Sequence, residues 1–152
     1  MILLYKLLKS ITKKPAPSYQ APAVDPYEER YFSTMPEIEA AWSVLYNLKA
    51  YTGPQAEAFE QKCLNNIHDF MSTPAEWRQA VREVPACTRL AMLYEKQERY
   101  DEAISICATA IRNGITYDGS KGQMYGRLAR LIRKAGKPVS DDILKLSQGG
   151  QP

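Results

Sequence analysis

The sequence has few of the residues on which catalysis and metal binding usually depend. Its 152 residues include one histidine, His68, and three cysteines, Cys63, Cys87 and Cys107. No two cysteines are separated by two residues, so neither a zinc ribbon nor a CxxC redox centre is expected. Widely spaced cysteines in odd number are typical of reduced, buried thiols in a cytoplasmic protein. We therefore predict no catalytic residue, no metal site, no cofactor and a cytoplasmic location.

The chain also lacks a long apolar run and a large excess of charge. The apolar residues at the N-terminus, MILLYKLLKS, fall far short of the roughly 20 that a membrane span needs. Basic residues follow this run and do not precede it, which is the reverse of a secretory signal. A net charge of +3 neither requires nor excludes a nucleic-acid partner. These features predict a soluble protein with one domain.

Residues 1–14 predict a short amphipathic helix with a basic side. Its apolar positions are Ile2, Leu3, Leu4, Leu7, Leu8 and Ile11, and its basic ones are Lys6, Lys9, Lys13 and Lys14. An isolated helix of this length is marginal in water, so it needs a surface to pack on. Three surfaces remain open: the protein's own domain, a groove of a partner, and an anionic membrane.

Residues 15–32 predict a linker that is rich in proline. Pro15, Pro17, Pro22 and Pro26 oppose a helix and give an extended, semi-stiff chain. A ligand for an SH3-type groove is the alternative interpretation of this composition. At the other end of the chain, residues 148–152 are predicted to form a disordered tail.

Residues 33–147 predict a domain made of helices. Ser33 or Thr34 is expected to cap the first helix, with Pro36 in its first turn. The expected buried stripe of this helix is Ile38, Ala41, Trp42, Leu45 and Leu48. A second helix from about Gln55 is expected to bury Ala56, Phe59, Cys63, Leu64, Ile67 and Phe70. A short helix from Pro74, capped by Ser72 or Thr73, carries Trp77, Ala80 and Val81.

The second half of this domain continues the helical pattern. One helix begins at Pro85, and the next runs from Tyr100 to about Asn113 and ends at Gly114. A basic helix follows and is closed by Gly136, and Ser140 caps a last short turn. No segment alternates with a period of two for long enough to predict a strand. The predicted fold class is therefore all-α, with antiparallel helical hairpins.

Residues 84–117 resemble one unit of the tetratricopeptide repeat family, a helix–turn–helix of about 34 residues. The residues that carry the resemblance are Leu90, Ala91, Tyr94, Tyr100, Ala103 and Ala110. Cys87, Cys107 and Ile115 stand where the family usually has two aromatics and a proline. A partial, divergent unit follows, marked by Leu128, Ala129, Ile132 and Gly136. The resemblance implies a short solenoid of stacked hairpins.

In the tetratricopeptide repeat family the first helix of each unit lines a groove for a protein partner. The resemblance places Thr88, Met92, Glu95 and Lys96 at the corresponding groove positions. This set lacks the Lys, Asn and Arg residues with which some members hold the C-terminal carboxylate of chaperones. A helix or an extended peptide of another protein is therefore the expected ligand. The other interpretation is that these side chains are only solvated.

The region from Arg112 to Lys137 forms a basic patch. Its members are Arg112, Lys121, Arg127, Arg130, Arg133, Lys134 and Lys137, and several of them recur with helical spacing in the basic helix 123–137. Such a row could contact phosphates, with Tyr117 and Tyr125 available to stack on bases. Solvated helix faces are also rich in charge.

Three functional expectations follow. The leading one is a non-catalytic adaptor, regulator or inhibitor that binds a protein partner through the helical-repeat surface. The alternative is an accessory protein that binds nucleic acid through the basic helix 123–137. Self-association also remains open, because a short array of repeats exposes apolar ends.

Overall fold

The computed structural model describes residues 23–149, and the regular secondary structure of this part of the chain is entirely helical. It contains seven α-helices, and none of its residues lies in a β-strand. The helices are α1 Pro26–Leu48, α2 Pro54–Met71, α3 Ala75–Arg78, α4 Pro85–Lys96, α5 Tyr100–Arg112, α6 Gln123–Ala135 and α7 Asp141–Gln148. The predicted all-α class is confirmed.

The helices pack mainly against their neighbours in the chain. Helix α1 packs on α2, α4 on α5, and α6 on both α5 and α7. Helix α4 also contacts α1 and α2, and so joins the first hairpin to the second. This order is consistent with the stacked helical hairpins that the sequence predicts. Short connections favour it, since they leave consecutive helices side by side.

The first helix begins earlier than the sequence predicts. Its N-cap is Asp25, whose Oδ1 accepts hydrogen bonds from the N–H groups of Tyr27 at 2.9 Å and Glu28 at 3.1 Å. Pro26 occupies the first helical position, where no N–H is needed. The predicted start at Ser33 or Thr34 is therefore wrong, and residues 26–32 belong to α1 and not to a linker. Pro36 lies inside α1, on its exposed side.

The short helix α3 also differs from its prediction. Ser72 and Thr73 do not cap it, because their hydroxyls donate to the carbonyls of His68 and Phe70 at the end of α2. Helix α3 stops at Arg78, so Ala80 and Val81 lie in the connection that follows. The other predicted boundaries agree well. Gly114 and Gly136 follow α5 and α6 with positive φ angles of 78° and 65°, and the Ser140 hydroxyl caps α7.

The core runs through all three hairpins and contains most of the predicted apolar positions. Five of the six repeat residues are buried, namely Leu90, Ala91, Tyr94, Ala103 and Ala110, and Tyr100 is half-buried. Leu48 and Leu64 were predicted to be buried and are exposed. Leu48 is the last residue of α1, and the buried face of α2 passes through Asn66 instead of Leu64.

Several predictions concern residues outside the described range. The amphipathic helix 1–14, the first part of the linker and residues 150–152 are among them. Of the predicted tail 148–152, Gln148 is the last residue of α7. No helix within residues 23–149 has the length and the apolar character that crossing a bilayer requires.

Replacement of a buried alanine in α5 by a larger residue is expected to destabilise the domain. Ala103 is fully buried, so the Ala103→Leu side chain would force its neighbours apart. We expect the free energy of unfolding to fall by about 2 kcal/mol, as for other overpacked cores. Urea denaturation followed by circular dichroism measures the change.

The matched control for this substitution is Ala40→Leu, because Ala40 is exposed in the middle of α1. We expect the control to change the free energy of unfolding by less than about 0.5 kcal/mol. Equal stabilities of the two variants would contradict the tight packing around Ala103.

Candidate interaction surface

The first helices of the three hairpins, α1, α4 and α6, are joined by ion pairs. The Arg89 guanidinium donates to both carboxylate oxygens of Glu39, at 3.1 Å and 2.9 Å, and so links α4 to α1. Glu95 links α4 to α6, because it accepts from Arg130 at 3.1 Å and from Lys134 at 3.0 Å. Burial alone would raise the pKa of Glu95, but these two hydrogen bonds outweigh it and lower the pKa.

The four residues predicted to line a groove do not form one open surface. Thr88 is buried, with 6% of its surface exposed, and Glu95 is held between Arg130 and Lys134. The Lys96 ammonium lies 5.6 Å from the centre of the Tyr51 ring. Met92 lines one cleft, whereas Thr88 lines a separate, smaller cleft of about 110 Å³ that also includes Asp118. The four residues therefore do not line one continuous groove, because α4 packs on α1 and its Glu95 is ion-paired with α6. Their role in binding a partner stays a prediction.

Met92 belongs to a cleft between α1 and α4, which we call the α1/α4 cleft. It has a volume of about 370 Å³ and is lined by Trp42, Ser43, Tyr46, Asn47, Arg89 and Met92. Tyr46 is 53% exposed, whereas Trp42 is buried beside it, with 6.2 Å between the ring centres. The cleft therefore has an aromatic floor and an accessible aromatic rim.

Sequence reasoning missed the contribution of α1 to this surface. Tyr46 lies four residues after Trp42, so the two rings share a face of the helix. This spacing was an available signal, but it does not show which part of the face a neighbouring helix covers.

Most cations of the predicted basic patch are already paired with carboxylates. Arg127 donates to Asp118 at 2.8 Å, Arg130 and Lys134 share Glu95, and Lys137 lies 2.9 Å from Asp101. Arg112, Lys121 and Arg133 form no ion pair with a residue of the described range 23–149. The predicted patch therefore contains both paired and unpaired cations. On α6, Arg127, Arg130 and Lys134 are paired, so this helix carries much less unpaired positive charge than the sequence suggests.

The pair formed by Asp118 and Arg127 is the most deeply buried of these ion pairs. The Asp118 side chain is fully buried, and that of Arg127 is 10% exposed. Asp118 also accepts from the hydroxyl of Ser120 at 2.5 Å and from its N–H at 2.9 Å. Burial alone would raise the pKa of Asp118, but the hydrogen bonds from Ser120 and Arg127 outweigh it, so the pKa lies below its ordinary value. Within the loop of residues 118–122, Ser120 therefore binds the carboxylate of Asp118.

The nucleophilic side chains within residues 23–149 are poorly placed for chemistry. Cys63, Cys87 and Cys107 are free and buried. Burial raises the pKa of Cys87 and that of Cys107 to about 12, and it also raises the pKa of Cys63, so thiolates are scarce at neutral pH. The exposed His68 ring lies 4.0 Å from Asp69, which is longer than a hydrogen bond. No cluster of three potential metal ligands occurs within residues 23–149.

A second cleft, of about 430 Å³, lies between α1 and α2. An ion pair between Lys62 and Glu37, with 3.1 Å between nitrogen and oxygen, spans these two helices at its edge. Asn66 lies at its base and donates from Nδ2 to the Tyr31 carbonyl and the Thr34 hydroxyl. Its Oδ1 has no partner within the described residues. No aromatic ring lines this cleft, so it offers less to a protein partner than the α1/α4 cleft does.

Removal of the buried carboxylate is expected to destabilise the domain in a pH-dependent way. Asp118→Asn leaves the Arg127 charge buried without its partner, and we expect a loss of about 3 kcal/mol at pH 7. The folded-state pKa of Asp118 is depressed, so its contribution is present above the ordinary pKa of an aspartate. The contribution disappears as the pH falls through the lower folded-state value. Urea midpoints of both proteins between about pH 2 and pH 7 should therefore converge at the acid end.

Asp101→Asn is the control, because it breaks the exposed pair with Lys137. We expect a change of less than about 1 kcal/mol, because an exposed ion pair contributes little to stability. A constant difference between the Asp118→Asn protein and the unsubstituted protein at every pH would show that the carboxylate charge is not the stabilising feature.

Comparisons of the chain with protein-family models, with curated proteins and with solved structures give no match. The candidate surface is therefore defined by the side chains described above.

Proposed function

We propose that this chain is a non-catalytic interaction module of the cytoplasm that binds a segment of another protein in the α1/α4 cleft. The observation that carries the proposal is the exposed Tyr46 ring beside Trp42, Met92 and Arg89. Aromatic residues, methionine and arginine are the types most enriched at the centres of protein interfaces. The three buried free thiols agree with a reducing compartment.

We also propose that the domain is a divergent tetratricopeptide-like array. Support comes from the succession of packed hairpins and from the burial of Ala91, Ala103 and Ala110. In such an array the first helices of neighbouring units present a shared binding face. Here that face comprises α1, α4 and α6, which the ion pairs of Arg89 and Glu95 hold together.

The chemistry of the cleft favours a ligand segment with an apolar anchor. Trp42 and Met92 supply an apolar wall, and a thioether adapts readily to different side-chain shapes. Ser43 and Asn47 offer hydrogen bonds at the edge. A volume of about 370 Å³ suits one or two large side chains of an amphipathic helix or extended peptide.

Nucleic-acid binding through α6 has less support. A protein gains affinity for a polyanion when its cations can neutralise phosphates. Arg127, Arg130 and Lys134 already neutralise Asp118 and Glu95 within the domain. Binding through this helix would first require these pairs to break.

Truncation of the rim tyrosine is expected to weaken peptide binding. Peptides selected from a random library against the full chain should carry an apolar anchor. Tyr46→Ala and, separately, Met92→Glu should weaken them at least about tenfold, because both residues lie at the proposed contact. Isothermal titration calorimetry with the selected peptides measures the change.

Tyr117→Ala is the matched control, because Tyr117 is 46% exposed and does not line the cleft. We expect this control to change peptide affinity by less than about twofold. Selected peptides that lose no affinity on substitution of Tyr46 or Met92 would contradict the proposed site. A partner purified from the native cells should show the same dependence.

The nucleic-acid alternative makes a different prediction. The double substitution Arg130→Glu with Arg133→Glu should leave any weak binding of single-stranded RNA or duplex DNA almost unchanged at physiological salt. Fluorescence anisotropy over a series of salt concentrations measures it. Tight binding that falls steeply with salt and disappears in this variant would establish the alternative in place of the protein-binding proposal.

A further inference from the structure

A further cleft, distinct from the two described above, collects positive charge where the connection after α3 meets the end of α5. It has a volume of about 370 Å³ and is lined by Arg78, Gln79, Arg82, Arg112, Asn113 and Gly114, with Ala75 beside them. We call it the arginine cleft. No aspartate or glutamate lines it.

This clustering sets the three arginines apart from the others in the chain. Five of the nine arginines form ion pairs, namely Arg30, Arg89, Arg99, Arg127 and Arg130. Of the remaining four, three line the arginine cleft, and the fourth is Arg133 on α6. Within residues 23–149, none of these four forms an ion pair. Unpaired like charges repel one another, so their grouping points to a ligand of opposite charge.

The chain holds parts of this cleft in fixed positions. Arg78 donates from Nη1 to the carbonyls of Met71, at 2.9 Å, and Thr73, which anchors its guanidinium to the end of α2. The remaining N–H groups of Arg78 have no partner within the described residues. Tyr117 donates its N–H to the Arg82 carbonyl at 3.0 Å and thereby fixes the backbone of that residue. A guanidinium that is already oriented loses less entropy when it binds an anion.

Arg112 lies in the last turn of α5. This position offsets part of the repulsion between the three arginines when no ligand is bound. The carbonyl groups at the end of a helix carry partial negative charge and stabilise a nearby cation. Gly114 follows with a φ of 78°, so the chain leaves the helix without a side chain at that point. The entrance therefore stays open between α3 and α5.

We propose that the arginine cleft binds the phosphate group of a phosphate monoester. Near neutral pH such a group carries close to two negative charges and has three terminal oxygens that accept hydrogen bonds. Three guanidinium groups match these oxygens better than they match a carboxylate, which has two oxygens and one charge. No aromatic ring lines the cleft, so it lacks the stacking surface that single-stranded nucleic acids use.

The proposal is independent of peptide binding in the α1/α4 cleft, because the two clefts share no residue. The phosphate can come from a free small molecule or from a phosphorylated side chain of a protein. The two sources share the same recognition chemistry, and the experiment separates them.

The test uses the full chain and measures binding by NMR chemical-shift titration. The probes are inorganic phosphate, a short phosphoserine peptide, its unphosphorylated form and sodium acetate, all at matched ionic strength. We expect saturable binding of both phosphate probes, with shifts at Arg82 and Asn113, and much weaker effects of acetate. Arg82→Ala and Arg112→Ala should each weaken phosphate binding by about fivefold or more.

Arg133→Ala is the matched control, because it removes the fourth unpaired arginine at a position outside the cleft. It should leave phosphate affinity within about twofold. Arg82 and Arg112 are exposed, so their variants should keep the fold, which circular dichroism checks. If the phosphoserine peptide binds more tightly than inorganic phosphate, the natural ligand is a phosphorylated protein. If the two bind with equal affinity, the natural ligand is a small phosphate monoester. Both results support the site.

Three outcomes would overturn the proposal. One is the absence of saturable binding of either phosphate probe, and another is an equal loss of binding in the Arg133→Ala control. The third is equal affinity for acetate and phosphate, which would reduce the cleft to a nonselective cationic surface. A short RNA could also bind more tightly than both phosphate probes and lose affinity in the Arg82 and Arg112 variants. That result would identify the ligand of the arginine cleft as a nucleic acid and would reject the phosphate monoester.

Discussion

Small buried side chains are the constraint on which the packing of the central hairpin depends. Ala91 on α4 and Ala103 and Ala110 on α5 have almost no exposed surface; these two helices pack on each other, and α5 also packs on α6. A small side chain lets two backbones approach closely, and the larger side chains around it then fill the remaining space. Through α4 this hairpin contacts α1 and α2, and through α5 it contacts α6 and α7. The arrangement of these helices decides which side chains border a cleft.

Charge is distributed unevenly over the surface that this packing creates. Along α1, α4 and α6 carboxylates and cations pair across neighbouring helices, as Glu39 does with Arg89 and Glu95 with Arg130. These pairs fix the helices in register more than they add stability, because most of them are partly exposed. Around α3 and the end of α5, by contrast, Arg78, Arg82 and Arg112 have no acidic neighbour in their cleft. The unpaired arginines of the arginine cleft are therefore more consistent with an anion site than the paired charges along α1, α4 and α6 are.

The described residues combine an inert interior with a chemically varied exterior. The three thiols are protonated at neutral pH because burial disfavours the thiolate. Tyr46 and Arg82 are exposed and each lines a cleft. This division suits the interaction module that we propose, since recognition needs accessible side chains on a rigid support.

Local patterns in the sequence determined the helical class, most helix ends and most of the core. The spacing of apolar residues predicted the buried faces, and Gly114, Gly136 and Ser140 marked boundaries correctly, because these effects act within a few residues. The start of α1 was mistaken because Asp25 and Pro26 were assigned to a proline-rich linker, although proline suits the first turn of a helix.

The candidate sites depended on tertiary structure. The sequence alone suggests that the basic residues of α6 are unpaired. In the structure, Asp118 and Glu95 come from other segments of the chain and neutralise three of them. Thr88 was predicted to face a partner, but only 6% of its surface is exposed, and it lines a small cleft with Glu39, Glu83 and Asp118. Arg78 and Arg82 are distant from Arg112 along the chain, and only the tertiary fold brings all three to one cleft. Sequence periodicity shows which face of a helix is polar, but which polar groups meet depends on distances that are set by packing between helices.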